Sequence, residues 1–479
     1  MRREEDVLHI LHTNDLHSHF EEMPYIATGL KTLRSTLQKK GQTVVTVDVG
    51  DHMDRMRLQS EATLGQANVH VLNDMGYDVV TIGNNEGLTL PRPAFDRLYE
   101  HAAFPVVCAN LFDAHTGQRP AFLQPYVCRK YGGLTVGWIG VTASFPSVYE
   151  LLGLMTTDPE QAVAEAVAVL RPTVDLIVVL SHIGYGRDVK LARNVQGIDL
   201  ILGAHTHTYL EAGERIGSTL ICQTGKFGQY IGHVTIAYNK QTKAITSLRA
   251  SCLPSRQFTP DAHVSRLIAT HAGQAENVMG EVVASVKRNL PVSWEEESPL
   301  STLLAGGLRS WVQADIGLVN SGTLLFSLAK GHVTRKDLLE ICPHPINPCR
   351  MKLTGEQLLA VFEEALDVSV IHKEIRGFGF RGKVMGWLGV DGADIYYDRN
   401  AAVGKRIRRV DIQGTSLQKD RIYTVGIIDM FTFGIVFPIF KQGTEAVLYV
   451  PEFLRDVLGR ELQNEQAVEN AGHRHWHAL

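Results

Sequence analysis

The most constraining feature of this 479-residue chain is a device used five times: a short apolar run that stops at a residue carrying an oxygen or imidazole donor. Residues 7–11 run into His12-Thr13-Asn14-Asp15-Leu16-His17, residues 44–47 into Asp48-Val49-Gly50-Asp51, and residues 79–82 into Gly83-Asn84-Asn85-Glu86. Residues 176–180 lead to Ser181-His182, and residues 198–202 to Gly203-Ala204-His205-Thr206-His207. Short apolar runs bounded by turn residues read as buried strands, and helical patterns separate them. Residues 24–40 carry Ile26, Leu30, Leu33 and Leu37 at helical spacing before Gly41, and residues 61–75 and 158–170 follow the same rule. Strands alternating with helices predict an α/β layered domain whose ligands gather at one edge of a sheet. Extended backbone sends alternate side chains the same way, so Asp15 and His17 are expected to grip one ion from the tip of the first strand.

Composition narrows the partner. Apolar residues make up 44% and charged residues 20%, ordinary values for a globular protein, and a net charge of −4 provides no field for nucleic acid or a membrane surface. A small molecule is the expected partner, and oligomeric state is left open. No apolar run approaches the ~20 residues of a membrane span, and residues 1–6 lack the apolar core of a secretory leader. A cytoplasmic protein is therefore expected, with its six cysteines as thiols; Cys342 and Cys349 are the only close pair.

The length exceeds what one core usually supports. The expected organisation is an α/β domain over 1–255, a helical connector over 256–279 and an α+β domain over 280–479. In the last, a strand over 281–286, a helix from Ser298-Pro299, a strand over 315–319 ending in Asn320-Ser321-Gly322 and a helix over 354–366 are expected. Two hairpin-like stretches, 377–398 and 421–440, follow. This half contains no anticipated metal-ligand cluster and reads as a substrate-recognition domain; the three histidines of residues 472–479 read as part of a frayed end.

Carboxylates and an amide oxygen mixed with imidazoles suit Mn²⁺, Fe²⁺, Zn²⁺ or Co²⁺. Asp51, following Gly50, is the natural bridge between two ions. In these motifs the chain resembles the 5′-nucleotidase family. The resemblance implies a four-layer metallophosphoesterase β-sandwich flanked by helices, followed by a C-terminal α+β nucleotide-binding domain. It implies Asp15, His17, Asp51 and His207 around one metal, Asp51, Asn84, His182 and His205 around a second, and hydrolysis of nucleotide phosphate esters. Glu297-Ser298-Pro299-Leu300, the segment from Asp315 to Gly322, and Leu353-Thr354-Gly355-Glu356 carry the resemblance in the second half. There it implies substrate contacts at Asn320 and a base-stacking clamp of Trp387 with Phe431 or Phe433.

The chain also departs from its family. Where the family reads Gly-Asn-His-Glu-Phe-Asp, this chain has Asn85 for the catalytic histidine and Leu88 for its partner aspartate. General acid help is worth ~10²–10⁴ in rate, and its loss weighs most on a poor leaving group such as a ribose 5′-alkoxide. His52 and Asp54, just beyond Asp51, are expected to replace the pair in part, with His52 equally readable as a solvent-facing loop residue. The family's phosphate-binding arginine falls at Leu325, leaving Arg350, Arg376 or Arg381 as substitutes. Nucleoside diphosphate sugars and 2′,3′-cyclic nucleotides therefore stand beside 5′-nucleotides as expected substrates, and a nucleotide sensor with weak turnover is the alternative. His12 and Asn14 read either as partners that orient ligands or as packing residues.

Overall fold

A computed structural model describes residues 5–377 and 379–479. The chain forms two compact units, Met1–Ala275 and Glu276–Leu479. The expected connector is largely one helix, Ala262–Met279.

In the first unit the strands run in the order Ile245–Pro254, Tyr230–Asn239, Glu5–Thr13, Thr43–Asp48, Val79–Thr81, Val106–Val107 and Leu123–Gln124 across a seven-stranded sheet. A six-stranded sheet orders Glu214–Ile216, Thr219–Cys222, Leu200–Gly203, Leu176–His182, Leu134–Thr142 and Tyr126–Tyr131. The central pairs are parallel, with Thr13 opposite Asp48 in one sheet and Ser181 opposite Gly203 in the other. Within each sheet these neighbouring strands consequently end at the same edge, which is where the donor residues follow.

Side-chain alternation sorts the core into layers. Leu8, Ile10, Val45 and Val47 pack with Trp138, Val178, Leu180, Leu200 and Leu202 between the sheets. The opposite face of the first sheet, with Leu11 and Val80, packs on Ile26 and Leu30 of helix Met23–Gln38 and on Val69 and Leu72 of helix Gln66–Met75. Ile139, Val179 and Ile201 pack outward on Val163 and Leu170 of helix Pro159–Leu170. The result is helix, sheet, sheet, helix, with each fully buried Val, Leu or Ile contributing about 1.5–3 kcal/mol. The helix expected over 61–75 is two, Leu58–Thr63 and Gln66–Met75. Leu64 and Gly65 break it with left-handed backbone (φ 49° and 88°), and a Cβ on Gly65 would lie 2.6 Å from the Met53 sulfur.

The second unit contains a five-stranded sheet, Leu388–Asp391, Ile316–Asn320, Ile422–Ile428, Pro348–Thr354 and Thr444–Leu448, packed against helix Pro299–Trp311. A four-stranded sheet orders Thr415–Ser416, Ile407–Ile412, Ala393–Tyr397 and Trp476–Ala478. Neither hairpin-like stretch is a hairpin. Leu388–Asp391 and Ala393–Tyr397 enter different sheets, turned apart at Gly392 (φ 86°), where a Cβ would sit 2.5 Å from the Asp315 carbonyl oxygen. Strand Ile422–Ile428 passes directly into helix Asp429–Thr432. Alternation identified strands here without identifying their partners. The expected frayed end is also corrected: Trp476–Ala478 is a strand parallel to Ala393–Tyr397. Its anchor is Trp476, 5% exposed and edge-on to Trp387, Phe362 and Tyr397.

All six cysteines are free thiols. Among the described residues no helix is long and apolar enough to cross a membrane.

Candidate metal centre

After strand Glu5–Thr13 the chain turns sharply, and Asp15 and His17 both adopt left-handed backbone (φ 50° and 46°). Strand alternation therefore does not bring them together; two apposed loops do. The Asp15, His17 and Ser18 amides donate to the carbonyls of Gly50, Asp51 and His52 at 3.0, 2.8 and 3.0 Å. Asp51, His205 and His207 share the unusual backbone (φ 49°, 74° and 56°). Such residues cost about 1–3 kcal/mol each and persist only where their surroundings over-determine them.

Those surroundings are visible. Asn14 Nδ2 donates to Asp15 Oδ2 at 2.7 Å, while its Oδ1 accepts the Thr224 amide at 3.0 Å. Glu86 accepts the amides of Asp51, Met53 and Gly83 at 2.9, 3.0 and 2.7 Å. A Cβ on Gly83 would lie 2.1 Å from Asp51 Oδ1, so only glycine lets the loops meet. Glu86 had no assigned role in the sequence, although a glutamate three residues after the helix-preceding Gly83 is the spacing of a capping box. His12, by contrast, packs across Gly232, where an added Cβ would meet its Nε2 at 2.0 Å. Phe227, which nothing in the sequence marked, places its ring 5.8 Å from His17 and donates its amide to the Asp15 carbonyl at 2.7 Å.

The donor atoms converge in two groups, Asp15 with His17 and His207, and Asp51 with His182 and His205, the atoms of each lying within 4.8 Å of one another. His17 Nε2 lies 3.1 Å from His207 Nε2, and His207 Nε2 lies 3.5 Å from Asp15 Oδ1. His182 Nε2 lies 3.4 Å from Asp51 Oδ2 and 3.9 Å from Asp15 Oδ1. Asn84 Oδ1 is 2.7 Å from His205 Nδ1. Ligands held about 2.1 Å from a shared ion are separated by roughly 3–3.5 Å, close to these spacings.

One atom tests whether a cation fits. His182 is fully buried, its Nδ1–H donates to the Val49 carbonyl at 2.7 Å, and its Nε2 has no hydrogen-bond partner. A backbone acceptor on one nitrogen points the other at the two carboxylates, the position a cation would take. Burial alone would depress the His182 pKa, but the Asp51 and Asp15 carboxylates outweigh it and raise it to about 10. Burial lowers His205 to about 4, with His182 adding to the effect. The donor set of two carboxylates, four imidazoles and one amide suits first-row divalent ions.

Residues 8–209 match calcineurin-like phosphoesterases, and residues 272–442 match the 5′-nucleotidase C-terminal domain. The chain is 38% identical over 457 residues to Uncharacterized metallophosphoesterase YunD of Bacillus subtilis (strain 168), covering 95% of this chain and 99% of the relative. It belongs to the 5′-nucleotidase family of metallophosphoesterases. The family's chemistry is phosphoester hydrolysis with divalent metals. A 25% identity over 464 residues links it to Trifunctional nucleotide phosphoesterase protein YfkN of the same organism, covering 87% of this chain and 31% of that longer relative. In fold it resembles the 5′-nucleotidase precursor from Thermus thermophilus, with a TM-score of 0.59 at 23% identity and 99% of both chains covered.

In this metallophosphoesterase Asn85 stands beside the donor cluster. Its Nδ2 is 2.8 Å from His17 Nδ1 and 3.1 Å from the Met53 carbonyl, and its amide donates to Asp51 Oδ1 at 2.7 Å. Asp54 Oδ2 lies 3.6 Å from His17 Nδ1. His52 is neither solvent-facing nor open to a substrate. It is 0% exposed, with Nδ1 3.4 Å from Glu86 and Nε2 3.4 Å from the Tyr99 hydroxyl, so a proton-donor role there is corrected.

In the second unit two expected substrate contacts are core residues. Trp387 is 2% exposed and Phe431 is stacked on Phe440 with ring centres 5.1 Å apart; a stacking clamp needs a free ring face, which neither offers. Phe433 is 48% exposed. Asn320 is buried, donating through Nδ2 to the Met385 carbonyl at 2.9 Å while its Oδ1 has no hydrogen-bond partner. The Arg381 amide donates to His344 Nδ1 at 2.8 Å. In this half, where no metal-ligand cluster was expected, Asp394, His473 and His475 bring donor atoms within 4.8 Å of one another.

Proposed function

We propose that the chain hydrolyses nucleotides or closely related small phosphate compounds in the cytoplasm, with two divalent cations from among Mn²⁺, Zn²⁺, Fe²⁺ and Co²⁺. The observation that carries this reading is the paired donor groups around the fully buried His182. Asp15, His17, Asp51 and His207 would hold one ion, and Asp51, Asn84, His182 and His205 the other. When bound, such ions supply Lewis-acid charge to phosphoryl oxygens and acidify water.

The chain's own residues set the substrate preference. Asn85 orients His17 through its carboxamide but has no ionisable proton to give a leaving group, and His52 is sealed from substrate. Phosphoanhydrides, whose leaving group needs no proton, are therefore favoured over 5′-monophosphates. Exposed Phe433 and the buried, unpartnered acceptor of Asn320 are proposed substrate contacts in the second unit, with Arg381 for phosphate.

Product formation with added Mn²⁺ on AMP, ADP, UDP-glucose, 2′,3′-cyclic AMP and an activated aryl phosphate tests this. ADP or UDP-glucose is expected to outpace AMP, and Asn85→His to raise AMP turnover by about tenfold or more. Equal rates on AMP and ADP, with no gain from Asn85→His, would sink the leaving-group argument. The loss of the family's histidine and aspartate at Asn85 and Leu88 favours a second reading, a nucleotide sensor; tight binding without turnover of any of these compounds would select it.

A further inference from the structure

We propose that Asp394, His473 and His475 form a third metal site, separate from the centre in the first unit, that takes one zinc-class divalent cation.

Strand Ala393–Tyr397 carries Asp394, and the strand beside it, Trp476–Ala478, is preceded by His473 and His475. His473 Nε2 and His475 Nδ1 lie 3.5 and 3.6 Å from the same Asp394 Oδ1, separations suited to ligands about 2.1 Å from one shared ion. His477 Nε2 reaches that oxygen at 3.2 Å while its ring stacks on Tyr396 with centres 4.7 Å apart, which steers the carboxylate.

A second observation, independent of this clustering, points to a ligand. His475 is only 8% exposed, and its Nδ1, aimed at Asp394, has no hydrogen-bond partner. A buried imidazole nitrogen left without one is destabilising, and coordination would satisfy it. The other nitrogen, Nε2, lies 3.7 Å from Asp391 Oδ1, and Asp391 is itself held by Arg309 Nε at 2.6 Å. A carboxylate behind the far nitrogen is the arrangement that orients metal-binding histidines. Glu297 fixes the main chain by accepting the amides of His475 and Trp476 at 2.8 and 3.2 Å.

Imidazole-rich sites prefer Zn²⁺, Ni²⁺ or Cu²⁺ to Mn²⁺ or Mg²⁺. The first-unit centre, richer in oxygen donors, accepts a wider set. Both sites would take Zn²⁺, but only the first-unit centre would take Mn²⁺.

The test is equilibrium dialysis of the full chain against Zn²⁺, with bound metal counted by elemental analysis. In an Asp15→Asn/Asp51→Asn background, one Zn²⁺ per chain is expected to remain. Adding His473→Ala, whose side chain is 61% exposed and not needed for packing, is expected to weaken that binding at least about tenfold. In the otherwise unaltered chain the same substitution is expected to lower Zn²⁺ content by one equivalent, and dialysis against Mn²⁺ is expected to show no such difference. Zinc content unaffected by His473→Ala in both backgrounds, or no zinc retained by the double variant, would overturn the proposal.

Discussion

Non-glycine residues with left-handed backbone occur in both units, but in different company. In the first, Asp15, His17, Asp51, His205 and His207 adopt it at the donor cluster; in the second, Gln313 and Gln413 adopt it at exposed turns and Glu445 in the exposed strand Thr444–Leu448. At an exposed turn the conformation merely reverses the chain. At the cluster it is held by amide-to-carbonyl bonds between loops, by Asn14 and by Glu86, so the strain stays where donors must converge. Aromatic residues differ in the reverse sense. Phe227 lies against two donor imidazoles in the first unit, while Trp387 and Phe431 in the second are absorbed by the core.

The strongest way to break this contrast is at Asp51. Asp51→Asn is expected to reduce turnover by about 10³–10⁴-fold, roughly 4–5 kcal/mol of transition-state stabilisation, and to lower metal content by elemental analysis. Near-normal activity with full metal content would remove the donor cluster from the chemistry. Trp387→Ala comes next: a cavity cost of about 3–5 kcal/mol in urea unfolding, with KM of the folded fraction unchanged. A raised KM with unaltered stability would return Trp387 to the substrate.

A smaller effect sharpens the comparison through pH. Burial, opposed by donors from Asn347 and Met430, raises the Asp429 carboxyl from 3.8 to about 7. The folded state then retains a proton that the unfolded chain releases. This contribution to stability is complete below the unfolded value and is lost as pH rises through the folded one. Asp429→Asn is expected to flatten Tm against pH between about 4 and 7, by roughly 2–4 °C. An identical profile in both proteins would mean that the carboxyl titrates normally.

Sequence pattern carried a good deal of this. Apolar runs marked the central strands of the first unit, and the residues after them supplied all the donors of both groups, because strand ends at one sheet edge are a property of parallel topology. The backbone conformation of those donors was hidden: Asp15 and His17 two residues apart suggest an extended tip, and only the facing loop at Gly50 to His52 forces the turn. His52 was misplaced for a related reason, since proximity in sequence to Asp51 does not say which side of the loop is sealed by Glu86 and Tyr99. In the second unit, alternation could not distinguish a clamp from a core, and Trp476, whose burial orders residues 473–478, lies far in sequence from the strand it joins.

The backbone at the donor residues has a consequence for anyone transplanting this centre. Copying the seven side chains onto another β-sandwich would fail unless the recipient's loops already curl to positive φ near +50° to +75° at the five places equivalent to Asp15, His17, Asp51, His205 and His207. The portable unit is the interlocked pair of loops around Asp15 and Asp51 with Glu86 beneath them, and the ligands come along as passengers.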